Sequence, residues 1–187
     1  MAFGVKINFA RIYKLDSISD NLRIATFKSQ LKDGGSASLT IKISDEAHAI
    51  LPNVYNLGFG PLNVRKQIDD KAELPHSDHS RVFSTILLNA LNYLSTNPDH
   101  YLGIDGSDNL RAYYCWRFLQ RNYDYLNQYF EMFGIKYYVR ITRYGKNQYD
   151  SPFDFEDIHP YPDLIIKTNE WPEHMYNYYT FRLKIHE

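Results

Sequence analysis

One cysteine, Cys115, stands among 187 residues. The chain therefore has no internal disulfide and no cysteine-built metal cluster. Excess charge is also lacking: 21 Lys and Arg stand against 22 Asp and Glu, a net of −1. That excludes the broad basic field which non-specific duplex binding requires, leaving room only for a local patch. No apolar run approaches the length of a membrane span. Met1 to Tyr13 alternate in character and carry charge early, unlike a secretory leader. A cytoplasmic protein with no membrane contact is expected. The glycine-rich phosphate-binding fingerprints, the GxSxG elbow and the known zinc spacings are absent as well. No cofactor and no metal is expected.

Tyrosine is what the chain has in abundance. Seventeen Tyr accompany 11 Phe. Tyrosine pairs a large apolar face with a polar tip, so it suits half-buried sheets, wet clefts and recognition surfaces.

The length fits one domain, residues 1–187, with no internal repeat. Apolar residues at helical spacing, from Val82 through Ile86, Leu87 and Ala90 to Leu94, predict a helix over about 79–97. Asp78 is its expected cap and Asn97-Pro98 its stop. A second helix is predicted over about 108–132, with Ala112, Cys115, Trp116 and Leu119 on its buried stripe and Gly134 as its C-terminal cap. Cys115 is expected to be packed and inert there. Alternating stretches predict strands in 5–15, 22–31, 38–43, 54–59, 64–68, 101–104, 135–143, 164–167 and 178–186. Asp33-Gly34-Gly35 reads as a hairpin turn. A long loop with three prolines is expected over 145–163. Strands first, two helices in the middle and strands last predict an α+β fold. Its expected form is a curved, mostly antiparallel sheet packed against two amphipathic helices.

The segment after the strand at 101–104 carries the leading functional candidate. Asp105, Gly106 and Ser107 precede a helix that presents Arg111 one turn in, with Tyr114 and Arg117 beyond. Backbone N–H groups at a helix start, with a guanidinium beside them, suit a phosphate or carboxylate. The same residues also suit an ordinary helix cap. His76, Asp78 and His79 form a second group, able to supply ligands or an acid–base pair but equally at home as a polar helix lead-in. Asp69 and Asp70 form a third; adjacent strand residues point to opposite faces, so only one would serve a site. Arg117 and Arg121, with Lys136 and Arg140, would make a basic patch on which tyrosines stack bases. Paired with Asp124 and Glu131 instead, the helix arginines are a plain solvated face. Glu156, Asp157 and His159 offer an acid–base group in the long loop.

Three fragments carry a resemblance. They are Asn53-Val54-Tyr55-Asn56-Leu57-Gly58-Phe59-Gly60 followed by Ile68-Asp69-Asp70; Arg81-Val82-Phe83-Ser84-Thr85 with Pro98; and Gly106-Ser107 followed by Arg111, Tyr114 and Arg117. Together they resemble a family of short, uncharacterised bacterial proteins classed as a domain of unknown function, from about Asn53 to the C-terminus. In that family a Gly-Ser-Thr turn precedes the arginine helix; Asp108 stands at the Thr position here. The resemblance implies a small intracellular bacterial protein with no assigned activity.

Three functions are compatible with these residues. The first is a binding protein for an anion (a nucleotide, single-stranded nucleic acid or an acidic peptide) held by Gly106, Ser107, Arg111, Tyr114 and Arg117. The second is an enzyme, a ribonuclease-like toxin or nucleotide-processing protein, with His79, Asp70 and Asp105 as catalytic groups. The third is an interaction module such as an antitoxin or one half of a homodimer, in a toxin–antitoxin or phage-defence setting.

Overall fold

Alternation in the first half of the chain builds a meander. The strands β1 (Leu15–Ile18), β2 (Ile24–Gln30), β3 (Ser36–Ala47) and β4 (Val54–Gly60) pair antiparallel in sequence order. The β2–β3 turn closes as its sequence requires. Gly34 takes φ +85°, and the Gly35 amide donates to Asp33 Oδ1 at 2.9 Å. The computed structural model describes residues 4–69, 72–105, 109–141 and 153–185.

Helix α1 (His79–Thr96) then crosses over, and β5 (Tyr101–Asp105) returns parallel to β4. Asp78 caps α1 by accepting from the Arg81 amide at 2.9 Å. Helix α2 (Asn109–Leu126) leads to β6 (Phe130–Ile141), β7 (Phe153–Leu164) and β8 (Tyr178–Leu183). The sheet order is β1-β2-β3-β4-β5-β8-β6-β7, with β8 inserted antiparallel between β5 and β6. The fold is the expected α+β class, a mostly antiparallel sheet with two helices. No described helix is long and apolar enough to cross a membrane.

The core lies between the helices and one sheet face. Val82, Ile86, Ala90 and Leu94 of α1 and Ala112, Trp116 and Leu126 of α2 meet Phe27, Ile41, Leu57, Leu102 and Phe181. Each Val, Leu, Ile or Phe side chain among them contributes about 1.5–3 kcal/mol when fully buried. A smaller cluster of Leu51, Val54, Ile135 and Tyr178 occupies the opposite face.

Several expected elements are placed differently. The alternation of Val5, Ile7 and Phe9 does not produce a strand; β1 begins only at Leu15. The N-terminal segment instead hydrogen-bonds to helix side chains. Its Ile7 amide donates to Asn122 Oδ1 (2.8 Å), Asn8 to Ser84 Oγ, Phe9 to the Tyr125 hydroxyl and Tyr13 to Thr85 Oγ1. At 64–68 there is a turn rather than a strand, with only a Leu62–Ile68 bridge; Asn63 Oδ1 captures the Arg65 and Gln67 amides. Helix α2 stops at Leu126, short of 132, and β6 starts at Phe130, earlier than expected. Gly134 is therefore a strand residue and not a helix cap. Part of the expected long loop is β7, which pairs with β6 over Ile158–Leu164 and, past a register shift, at Phe153 and Asp154. Pro160 and Pro162, two residues apart, turn their missing N–H to the same side; an edge strand tolerates this because its outer side needs no partner. Of the strand expected at 164–167 only Leu164 belongs to β7; residues 165–167 are not strand.

Candidate functional site

The parallel pairing of β4 and β5 runs from Val54↔Tyr101 to Asn56↔Gly103 and then ceases. Beyond that point the strands diverge and α2 begins. A cleft of about 290 Å³ opens there, lined by Gly58, Phe59, Phe83, Ile104, Asp105, Arg111, Tyr114, Cys115 and Phe118 among others. Crevices beyond the carboxyl ends of parallel strands are where open sheets commonly place ligands. Phe83 builds one wall, edge-on to Phe59 (ring centroids 5.5 Å apart) and tilted against Phe118 (5.6 Å). The walls are mostly apolar, and Asp105 and Arg111 are the charged residues among those lining it. The Tyr179 hydroxyl donates to the Ala112 carbonyl at 2.7 Å, tying the first turn of α2 to β8. That bond fixes the stretch of helix carrying Arg111.

Asp105 ends β5 opposite Tyr178. Its charge opposes loss of the Tyr137 and Tyr178 protons, although burial is the larger cause of their raised pKa values. The Tyr178 hydroxyl donates to Asn56 Oδ1 at 3.2 Å. Both phenols are neutral at physiological pH and do not serve as bases.

Two further hollows adjoin the cleft. One, about 830 Å³, is lined by Asp69, Glu73, His76, His79, Leu110 and Tyr114 among others. His76 and His79 meet edge to face with centroids 5.4 Å apart, and His76 Nδ1 is 2.8 Å from Ser29 Oγ. Burial lowers the pKa of both imidazoles, and each is further lowered by neighbouring positive charge. Asp78 is occupied as the helix cap and by Arg11 at 3.0 Å. The other hollow, about 360 Å³, lies between α2 and the segment after β7 and is lined by Tyr114, Arg117, Arg121 and Lys167. Tyr114 borders all three spaces.

The structure thus divides the expected site. Arg111, Tyr114 and Asp105 share the cleft. His79 lines a different hollow from Asp105 and Arg111, so the proposed acid–base group is not assembled around one space. Arg117 faces the third hollow. Asp70, Gly106 and Ser107 lie outside the described residues. Lys136 and Arg140 do not join Arg117 and Arg121: they pair with Asp163 (2.8 Å) and Asp157 (3.3 Å) across β6–β7. Asp157 also meets His159 at 2.6 Å, a strand-surface cluster rather than a loop site. Cys115 is half-buried on the cleft wall and not sealed in the core. Among the described residues no group of three or more His, Cys, Asp or Glu is gathered for a metal ion. Sequence reasoning missed the wall of Phe59, Phe83 and Phe118, since each reads as core until the strands are seen to part. It also missed Lys167 and Trp171, which stand far from α2 in the chain.

A family model described as a family of unknown function, DUF6934, matches residues 10–155. The chain belongs to DUF6934. The match begins well upstream of Asn53 and stops at residue 155, so it does not follow the span expected from the three fragments. Every residue lining the cleft falls within the DUF6934 match; Lys167 and Trp171 fall beyond it. No curated protein and no solved structure matches the chain.

Proposed function

We propose that this chain is a small-molecule binding protein whose cleft takes a ligand with a flat apolar body and an anionic group, a nucleotide being the class that suits both. The observation that carries this reading is the cleft where β4 and β5 part, with aromatic walls and Arg111 at its border. A guanidinium offers a planar fork to phosphate or carboxylate. Phe59, Phe83 and Phe118 offer apolar surface to a ring. Asp105, beside them, is placed to accept from an exocyclic amine or a sugar hydroxyl. An enzyme reading gains no support, because His79 lines another hollow.

Cys115 supplies a direct readout, being the chain's one cysteine and part of the cleft wall. A bound nucleotide should raise the melting temperature and slow alkylation of that thiol. Arg111→Ala should weaken the ligand about tenfold to a hundredfold, the usual weight of a charge-assisted hydrogen bond, read as a smaller ligand-induced rise over the variant's own unliganded melting temperature. If nucleoside mono-, di- and triphosphates and simple carboxylates all fail to protect Cys115, the cleft is not an anion site.

A further inference from the structure

We propose that the groove between α2 and residues 165–171 binds single-stranded nucleic acid, with Arg117, Arg121 and Lys167 on its phosphates and Trp171 stacked on a base. This is a second site, separate from the cleft except that Tyr114 borders both.

The chain is nearly neutral, yet these three cations line one hollow of about 360 Å³. Arg111, Tyr114, Arg117 and Arg121 recur at intervals of three and four along α2, which sets them on one face. The opposite wall is held in place by a two-point clamp. Gln120 Nε2 donates to the Ile166 carbonyl at 2.8 Å, and Gln120 Oε1 accepts from the Thr168 amide at 2.9 Å. Lys167 is thereby brought to face the helix, where it pairs with Asp124, the acid of this groove.

At the end of the same wall stands a stacking platform. The Trp171 indole lies on Tyr113 with centroids 5.2 Å apart and planes inclined by only 5°. The Arg117 guanidinium lies 5.9 Å from the Tyr113 centroid and 5.8 Å from that of Trp171. Trp171 remains 50% exposed. A rigid, half-exposed indole beside cations is the combination that single strands use: phosphates meet the charges and an unstacked base covers the ring. An acidic peptide would satisfy the cations and leave the indole face in water. A duplex would need a wider basic field than this chain has.

The test uses the full chain and a labelled single-stranded oligouridylate of about 12 nucleotides, a length within the range of small single-strand sites. Anisotropy should report binding, and tryptophan emission should fall. Trp116 is buried, so the quench is assigned to Trp171 and should vanish in Trp171→Phe. Three cations less the charge of Asp124 predict a slope of about −1.4 in log affinity against log salt, or about a sevenfold loss between 50 and 200 mM. Arg121→Ala, the loss of an exposed side chain, should flatten that slope by about 0.7. The proposal is overturned by absence of binding at 50 mM salt. Binding without a quench overturns it too, as does displacement by polyglutamate at equal charge, which would reassign the groove to an acidic protein. The cleft is judged separately. Oligonucleotide binding with no nucleotide protection of Cys115 sinks the cleft alone, and the reverse pattern sinks the groove alone.

Discussion

Two glycines decide how two tyrosines pack. A methyl group at Gly134 would collide with the ring of Tyr176 on the helix side of the sheet, and one at Gly103 with the ring of Tyr178 on the other side. Both rings are buried, so neither can swing into solvent. Gly134→Ala and Gly103→Ala should each destabilise the fold by about 1–3 kcal/mol, the cost of overpacking, read as a lower urea midpoint with an unchanged m-value. Gly103→Ala should also disturb the bond from the Tyr178 hydroxyl to Asn56. This scale was the hardest to read in advance. Gly134 after an apolar helical stripe has the appearance of a cap, and nothing local to it announces an aromatic ring arriving from residue 176. The place of Arg111 in the first turn of α2 was legible from the strand–turn–helix order. The phenylalanines of the cleft were not, since their openness depends on where two strands stop pairing.

Among the elements, the two helices were the most legible, because a long stripe at helical spacing has no competing period. The N-terminal segment shows why alternation alone misleads. Val5 and Ile7 are buried as a strand's would be, yet the backbone bonds go to side chains of α1 and α2. Asn122 is the centre of that arrangement. Its Oδ1 accepts from the Ile7 amide, and its Nδ2 donates to the Val5 and Phe118 carbonyls at 3.2 and 2.9 Å. It is 5% exposed, so water cannot replace it. Asn122→Ala should cost about 2–3 kcal/mol, since buried backbone groups lose their partners. The loss should be local: faster amide exchange at Ile7 and earlier proteolysis before β1, with the sheet amides unchanged. Equal acceleration across β2–β5 would show that the segment is part of the main cooperative unit instead.

For the whole molecule, fold class was legible from the order of elements, while sheet order was not. Inserting β8 between β5 and β6 requires pairings between distant parts of the chain, and no local pattern encodes them. The same long-range closure brings Lys167 and Trp171 to α2. Histidines in several parts of the fold are partly buried, and this sets a global response to acid. Burial is the first cause lowering the pKa of His48, His76, His79 and His100 below the ordinary 6.5; carboxylates raise it in part at His48 (Asp105), His79 (Asp78) and His100 (Asp99). The unfolded chain takes up protons at 6.5 and the folded chain only at lower pH. Between those values the unfolded state binds more protons, so stability must fall as pH falls. The contribution is intact above 6.5 and is lost as pH drops from there toward the folded-state values. The urea midpoint should therefore be lower at about pH 5.5 than at about pH 7.5. Because His76 and His79 face each other, the repulsion between them adds to this effect, and His76→Gln with His79→Gln should reduce the pH dependence while leaving a remainder from His48 and His100. A midpoint that rises on acidification would mean these imidazoles gain anionic partners on folding, contrary to the packing around them.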